Sequence, residues 1–177
     1  MTRRVVVTGV GMVTPVGNTG QETWQAILQG KSGTGPLTQI DSSRFKSKVA
    51  AEVKNFDPTS YFTPKELKKN DRFVHFAVAS AQMALEDSKL DLSKEDTYRV
   101  GVLVGSGIGG LRTIEEQHRV YLEKGPSRIS PFLIPMLIVN MAPGQISIRF
   151  KIRGPNNCVA TACATGSNAI EIGRAHV

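Results

Sequence analysis

The spacing of apolar and polar positions predicts a succession of short strands and longer helices. Arg4 to Thr8 is a β-branched run, predicting a buried strand that ends at Gly9-Val10-Gly11. Asn18 or Thr19 can cap a helix reaching Gln29, with Trp24, Ile27 and Leu28 at helical spacing and Gly30 as its stop; Trp24 reads as core. Residues 30–43 are rich in Gly, Ser, Thr and Pro and read as loop, and residues 49–53 read as a short edge strand. Thr63-Pro64-Lys65-Glu66 is a helix start: a capping threonine, proline in the first turn, and glutamate three residues after the cap. That helix is expected to run to about Ser88, with Phe73, Phe76, Ala77, Ala84 and Leu85 on its apolar face. Arg99 to Val104 predicts a second buried strand, followed by a glycine-rich turn and a helix from Leu111 to Glu123 that Gly125-Pro126 stops. Asn140-Met141-Ala142-Pro143 opens a helix through Phe150, and Val159 to Ala162 is a short apolar strand.

Small residues follow that last strand in a pattern that opens a helix, so Cys163 falls at a strand-to-helix turn. The first N–H groups of a helix lack intrahelical partners, and the macrodipole places partial positive charge there. Both favour thiolate over thiol, the form in which a cysteine acts as a nucleophile. Ala162, Ala164 and Gly166 leave room for a substrate to reach the sulfur. The competing reading is a small apolar core residue.

Other candidates divide between chemistry and packing. Lys65, Lys68 and Lys69 fall at i, i+3 and i+4 on one helix face, where three cations in the first turns would oppose the helix dipole; such a face either binds something acidic or is merely solvated. His75, among Phe76 and Val78, reads as a satisfied packing residue with no chemistry assigned. Gly105-Ser106-Gly107-Ile108-Gly109-Gly110 fits the glycine pattern of a dinucleotide site, placed between a strand and a helix. The second strand with an acidic end, due ~20 residues later, is missing, because Glu115, Glu116 and Glu123 belong to the helix itself. An NAD(P)-binding oxidoreductase is therefore a remote alternative, and Thr8-Gly9-Val10-Gly11 is a similar decoy.

Composition narrows the class. The chain has 177 residues, 40% hydrophobic and 21% charged, enough for one sizeable core, and no apolar run approaches the ~18 residues of a membrane span. Basic residues precede the first apolar run, but Gly and Thr interrupt it at once, which argues against a signal peptide and for a cytoplasmic location. The two cysteines fit neither a disulfide framework nor a metal-ligand spacing; a regular strand would point them to opposite faces, with Cys158 in the core. The formal charge of +7 calls for an acidic partner, and no aromatic-interleaved basic patch supports nucleic acid.

Gly154-Pro155-Asn156 through Thr161-Ala162-Cys163-Ala164-Thr165-Gly166, Thr8-Gly9-Val10-Gly11-Met12-Val13-Thr14-Pro15 near the start and Ile129-Ser130-Pro131-Phe132-Leu133-Ile134-Pro135 between them resemble the N-terminal part of type II β-ketoacyl-acyl-carrier-protein synthases. The likeness runs without a large gap from Arg3 to about Ile170, so residues 1–170 are read as the N-terminal half of such an enzyme. The resemblance implies an α/β, thiolase-like fold of layered sheets and helices, of which this sequence carries the first of two similar halves. It further implies acyl transfer from an acyl carrier protein to Cys163, then decarboxylative condensation with malonyl-carrier protein, in a homodimer with no cofactor or metal. On the same ground the Cys163 N–H belongs to the oxyanion hole, and Ile108, Leu111, Leu133 and Ala162 line the acyl pocket. Leu133 stands where the family often has a larger aromatic. Lys65, Lys68, Lys69 and Arg128 then dock the acidic carrier.

The family's two histidines, lysine and second oxyanion donor come from a C-terminal half outside this sequence, so the chain is expected to be inactive alone and to expose a large apolar face. Glu171 to Val177 departs abruptly from the family and reads as the translation of a widely used sequencing adapter, which gives His176 no function. Two alternatives are a polyketide ketosynthase, against which Ala-Cys-Ala-Thr-Gly leans, and a non-catalytic chain-length-factor-like subunit, against which the presence of Cys163 counts.

Overall fold

The computed structural model describes residues 4–175. Within them the chain forms two compact units, one of residues 4–7, 58–78 and 90–175, the other of residues 8–57 and 79–89. His176 lies outside the described residues.

The smaller unit opens with helix α1, Gly20–Leu28, whose cap is Thr19: its hydroxyl accepts the Glu22 N–H at 3.1 Å. The helix turns Thr23 and Ala26 inward, and Thr23 shares a 3.0 Å hydrogen bond with the Thr14 hydroxyl. Trp24, expected in the core, is 58% exposed, as are most of Ile27 and Leu28, because the inward stripe is a polar–small pair one position away from the apolar one. Strands β1, Thr34–Pro36, and β2, Val49–Ala51, pair antiparallel with Gly35 opposite Ala50. The edge strand at 49–51 was legible. Its partner was hidden in the stretch read as loop, since Thr-Gly-Pro carries no strand pattern of its own.

The larger unit holds the capping box as expected. Helix α2 is Pro64–Leu67, with the Thr63 N–H donating to Glu66 Oε2 at 2.7 Å and the Glu66 N–H returning to the Thr63 hydroxyl at 3.3 Å. The single helix expected from Pro64 to Ser88 is instead broken. The Asn70 amide donates to the Glu66 carbonyl at 3.0 Å, and the Asp71 carboxylate accepts the Phe73 N–H at 3.4 Å, so two short polar side chains close one helix and open the next. Helix α3, Arg72–Ser88, gives residues 72–78 to this unit and 79–88 to the other. Its buried stripe is Val74, His75, Val78 and Ala79, one position round from the predicted Phe73, Phe76 and Ala77, which are half-buried. In the smaller unit its far end accepts the Val10 N–H on Asp87 at 2.9 Å.

The centre of the larger unit is a parallel pair: β3, Val102–Gly105, alongside β4, Asn156–Val159, with Val102 opposite Asn156 and Gly105 opposite Val159. A parallel pair needs a long crossover. Here it contains α4, Leu111–Lys124, α5, Leu133–Leu137, and α6, Met141–Phe150. Helices α6 and α7, Thr165–Ala175, both pack on the pair. The Asn156 side chain ties β4 to α6 by donating to the Pro143 carbonyl at 2.9 Å and the Ser147 hydroxyl at 2.6 Å. The run from Arg4 to Thr8, predicted as a buried strand, forms none: Val5, Val6 and Val7 are exposed and have no strand partner among the described residues.

Candidate functional site

Strand β4 ends at Val159, three residues short of the expected strand end, and the chain then enters a tight turn. Ala162–Ala164 form one 3₁₀ turn, and α7 begins at Thr165. Cys163 lies in the middle of that turn, exposed, at the predicted strand-to-helix junction. The strand therefore never reaches it, and the alternation argument for opposite-facing thiols does not apply. Cys158, expected in the core, is half-buried on β4, and burial pushes its thiol pKa up.

Ala162, immediately before the cysteine, has φ +49°, a left-handed conformation that costs a residue with a Cβ roughly 1–2 kcal/mol. Its surroundings hold it there. Thr165 is buried, its hydroxyl donating to the Ala162 carbonyl at 2.7 Å and accepting the Thr161 N–H at 2.8 Å, while the Asn168 amide donates to the Thr161 hydroxyl at 2.8 Å. Backbone strain enforced by neighbours in this way gathers at sites where one side chain must be presented in a fixed direction. The sequence reading identified Cys163 but missed Ala162's backbone and the Thr161–Thr165–Asn168 network. The i, i+4 threonines were the available signal; nothing in an alanine signals a positive φ.

The glycine-rich turn after β3 adjoins this site. A Cβ on Gly105 would lie 2.6 Å from the Thr165 methyl and 2.8 Å from its carbonyl oxygen, so this glycine lets α7, and with it Cys163, sit against the sheet. A Cβ on Gly110 would collide with the Met136 carbonyl. Packing thus accounts for glycines that the sequence made a possible nucleotide cradle. The Ser106 N–H donates to the Val159 carbonyl at 3.1 Å, its hydroxyl accepts the Gly109 N–H at 3.2 Å, and a Cβ on Gly107 would lie 3.7 Å from the Ala162 carbonyl. Ile108 is 66% exposed beside that contact, and Leu111 is exposed at the start of α4. Leu133, half-buried, opens α5, which packs on α4. Of the expected pocket residues, Ala162 lies in the cysteine turn and Ile108 follows Gly107, which adjoins the Ala162 carbonyl, while Leu111 opens α4 and Leu133 opens α5.

Buried Asp71 positions α4. Its Oδ2 accepts the Thr113 hydroxyl at 2.5 Å and the Thr113 N–H at 3.3 Å, while its Oδ1 serves α3, so one carboxylate caps two helices. No local pattern signals this, because the partners are far apart in sequence. His75 was expected to be satisfied. It packs on Phe62 with ring centroids 4.9 Å apart, its Nε2 is buried without a partner, and burial holds its pKa below the usual histidine value.

Lys65, Lys68 and Lys69 lie at the end of α2 rather than in the first turns of a long helix. With α2 closing at Leu67, Lys68 becomes the C-cap and the Lys69 N–H donates to the Glu66 carbonyl at 2.9 Å, so Lys68 and Lys69 stand at the C-terminal end of this short helix, where cations are not opposed by its dipole. Glu66 itself is engaged by Thr63, whose two hydrogen bonds hold its carboxyl below the ordinary carboxylate range, with Arg149 adding a contact at 3.5 Å. The Lys69 ammonium sits 4.8 Å above the centre of the Phe132 ring. Arg128, exposed on the 3₁₀ turn Pro126–Arg128, is four residues before that ring, so its Cα lies at most about 14 Å from the Cα of Phe132. Among the described residues no group of three or more His, Cys, Asp or Glu side chains is arranged to hold a metal, and no helix is long and apolar enough to cross a membrane.

The chain is 51% identical over 168 residues to the 3-oxoacyl-[acyl-carrier-protein] synthase 2 of Synechocystis and 49% identical to that of Coxiella burnetii, the match covering 95% of this chain and 40–41% of each relative. It thus spans about 40% of the length of these curated relatives. Among solved structures it superimposes on the ishigamide ketosynthase/chain length factor with a TM-score of 0.83 at 26% identity, covering 97% of this chain and 45% of that one. A type II polyketide ketosynthase in complex with its acyl-carrier protein gives 0.80 at 25% identity, over 98% and 46%. The fold is therefore the thiolase-like ketosynthase fold, represented by its N-terminal half. The model of the β-ketoacyl synthase N-terminal domain matches residues 2–176, and this chain belongs to the β-ketoacyl synthase family.

Proposed function

We propose that this chain supplies the acyl-accepting half of a fatty-acid condensing enzyme, a 3-oxoacyl-acyl-carrier-protein synthase. The observation that carries the reading is the exposed Cys163, presented at a strand-to-helix turn by the left-handed Ala162. In the proposed reaction the Cys163 thiolate attacks the thioester carbonyl of an acyl-loaded carrier protein. A bond forms from Sγ to the acyl carbon, the carbon–sulfur bond to the carrier breaks, and the carrier leaves as its thiolate, which takes up a proton. Malonyl-carrier protein then loses carbon dioxide, and the carbanion displaces Cys163 from the acyl group.

Residues of this chain take definite parts in that scheme. The Cys163 N–H donates to the developing oxyanion; Ile108, Leu111, Leu133 and Ala162 contact the acyl chain; Lys65, Lys68, Lys69 and Arg128 receive the acidic face of the carrier. The decarboxylation step draws on histidines and a lysine supplied from outside this sequence, in a cytoplasmic homodimer. Identities of 44–51% to proteins named 3-oxoacyl-[acyl-carrier-protein] synthase 2 support the fatty-acid reading.

The test is acyl transfer in the complete gene product. Incubation with an acyl-loaded carrier protein, followed by peptide mass mapping, should place one acyl group on Cys163, and Cys163→Ala should abolish both the adduct and condensation. Acylation elsewhere, or undiminished turnover by the alanine variant, would overturn the proposal.

A further inference from the structure

Lys69 differs from the other two lysines of its cluster. Lys65 and Lys68 are exposed and make no aromatic contact among the described residues, whereas Lys69 is half-buried with its ammonium over the Phe132 ring. That ring stands on a fixed base. The Phe132 N–H donates to the Ser130 hydroxyl at 3.1 Å, the Ser130 N–H donates to the Gln117 side-chain oxygen on α4 at 2.7 Å, and the Phe132 carbonyl accepts the Met136 N–H at 2.9 Å within the first turn of α5. A lysine free in solvent loses up to about 2 kcal/mol of rotamer freedom when a partner immobilises it. One already held over an aromatic face has lost much of that freedom on folding, while an ammonium with three N–H donors still has donors to offer a carboxylate.

We infer that Phe132 is a positioning residue for carrier-protein recognition: it holds the Lys69 ammonium ready for a carboxylate of the acidic partner. The inference rests on the docking role proposed for the lysine cluster. Phe132 immediately precedes Leu133, so the same segment that fixes the docking cation leads directly into a residue assigned to the acyl pocket.

The test is a double-mutant cycle in the complete gene product, reading the dissociation constant for a purified bacterial acyl carrier protein at low salt. Phe132→Leu keeps an apolar side chain of similar size but removes the ring, and should weaken binding about two- to five-fold, the equivalent of one exposed cation–π contact. In a Lys69→Met background the same change should have no effect. Phe132→Tyr, which keeps the ring, should restore wild-type affinity. Equal effects of Phe132→Leu with and without Lys69, failure of tyrosine to rescue, or tighter binding by the leucine variant would each overturn the inference while leaving the docking reading intact. Unaltered affinity in Lys65→Glu and Lys69→Glu would overturn the docking reading itself, and the inference with it.

Discussion

Val5–Val7 and Val102–Val104 are valine-rich runs in the same unit, and they end in opposite states. The second lies in β3, hydrogen-bonded along its length to β4, with Val102 buried. The first forms no strand and is exposed, Val7 at 82%. β-Branched residues favour a pleated, half-buried surface, but a strand exists only where a neighbour takes up its N–H and C=O groups. For β3 that neighbour is β4, held in place by Asn156 and by α7 packed against Gly105. For residues 5–7 no such neighbour is present among the described residues.

The comparison breaks most sharply at Gly105. Gly105→Val would drive a branched side chain into Thr165, and overpacking of this kind costs about 3 kcal/mol. The expected outcome is loss of the cooperative melting transition, or a large drop in its midpoint, together with faster alkylation at Cys158 as α7 lifts from the sheet. A protein that melts normally would show that α7 is not seated through this glycine.

A smaller contrast sharpens the same point. Val102→Ala should cost about 2 kcal/mol, from two buried methyl groups, whereas Val6→Ala should change the stability of this chain by no more than about 0.5 kcal/mol. Chemical denaturation of both variants measures this directly. Repeating Val6→Ala in a chain of the length of its relatives asks whether the first run gains a partner there: a cost near that of Val102→Ala would mean that it does.

The smallest effect is with pH. His75 lies in the unit that carries β3, with its pKa lowered by burial; Asp71, just before its helix, raises it and Arg72, on the helix, lowers it, while Arg149 of α6 lies across the Phe62 ring, its guanidinium 4.8 Å from the ring centre. Because the folded pKa is below the unfolded value of about 6.5, the unfolded state binds the proton more readily. Stability is therefore full above the unfolded pKa and is lost as pH falls through the lower folded value. Hydrogen exchange should show β3 amides losing protection on acidification, with the Val5–Val7 amides unprotected throughout. His75→Phe removes both the titration and the unpartnered nitrogen, and should flatten the β3 profile; an unchanged profile would assign the acid sensitivity elsewhere.

Legibility from sequence followed the range of the interaction. Thr19, Thr63 and Glu66 act within four residues, and their caps formed as read. The turn at Cys163 was equally local, a strand giving way to small residues. The break between α2 and α3 was missed although Asn70 and Asp71 were in plain view, because apolar spacing on either side continued the helical period across it. Trp24 was misplaced for a different reason: helical spacing says which residues share a face, not which face turns inward.

The sequence by itself determined the helix caps, the valine strand before the glycine turn, the position of the nucleophile candidate and the family to which the chain belongs. All of these rest on contacts between near neighbours or on motifs read as wholes. Only the tertiary structure decided that Asp71 caps α4, that Gly105 faces Thr165, that Ala162 is held left-handed and that Lys69 rests on Phe132. Three of these join residues more than forty positions apart in the chain, and the fourth is a backbone conformation that an alanine would not adopt unaided. Such placements follow from how helices and strands pack, and no local pattern of residue types encodes them.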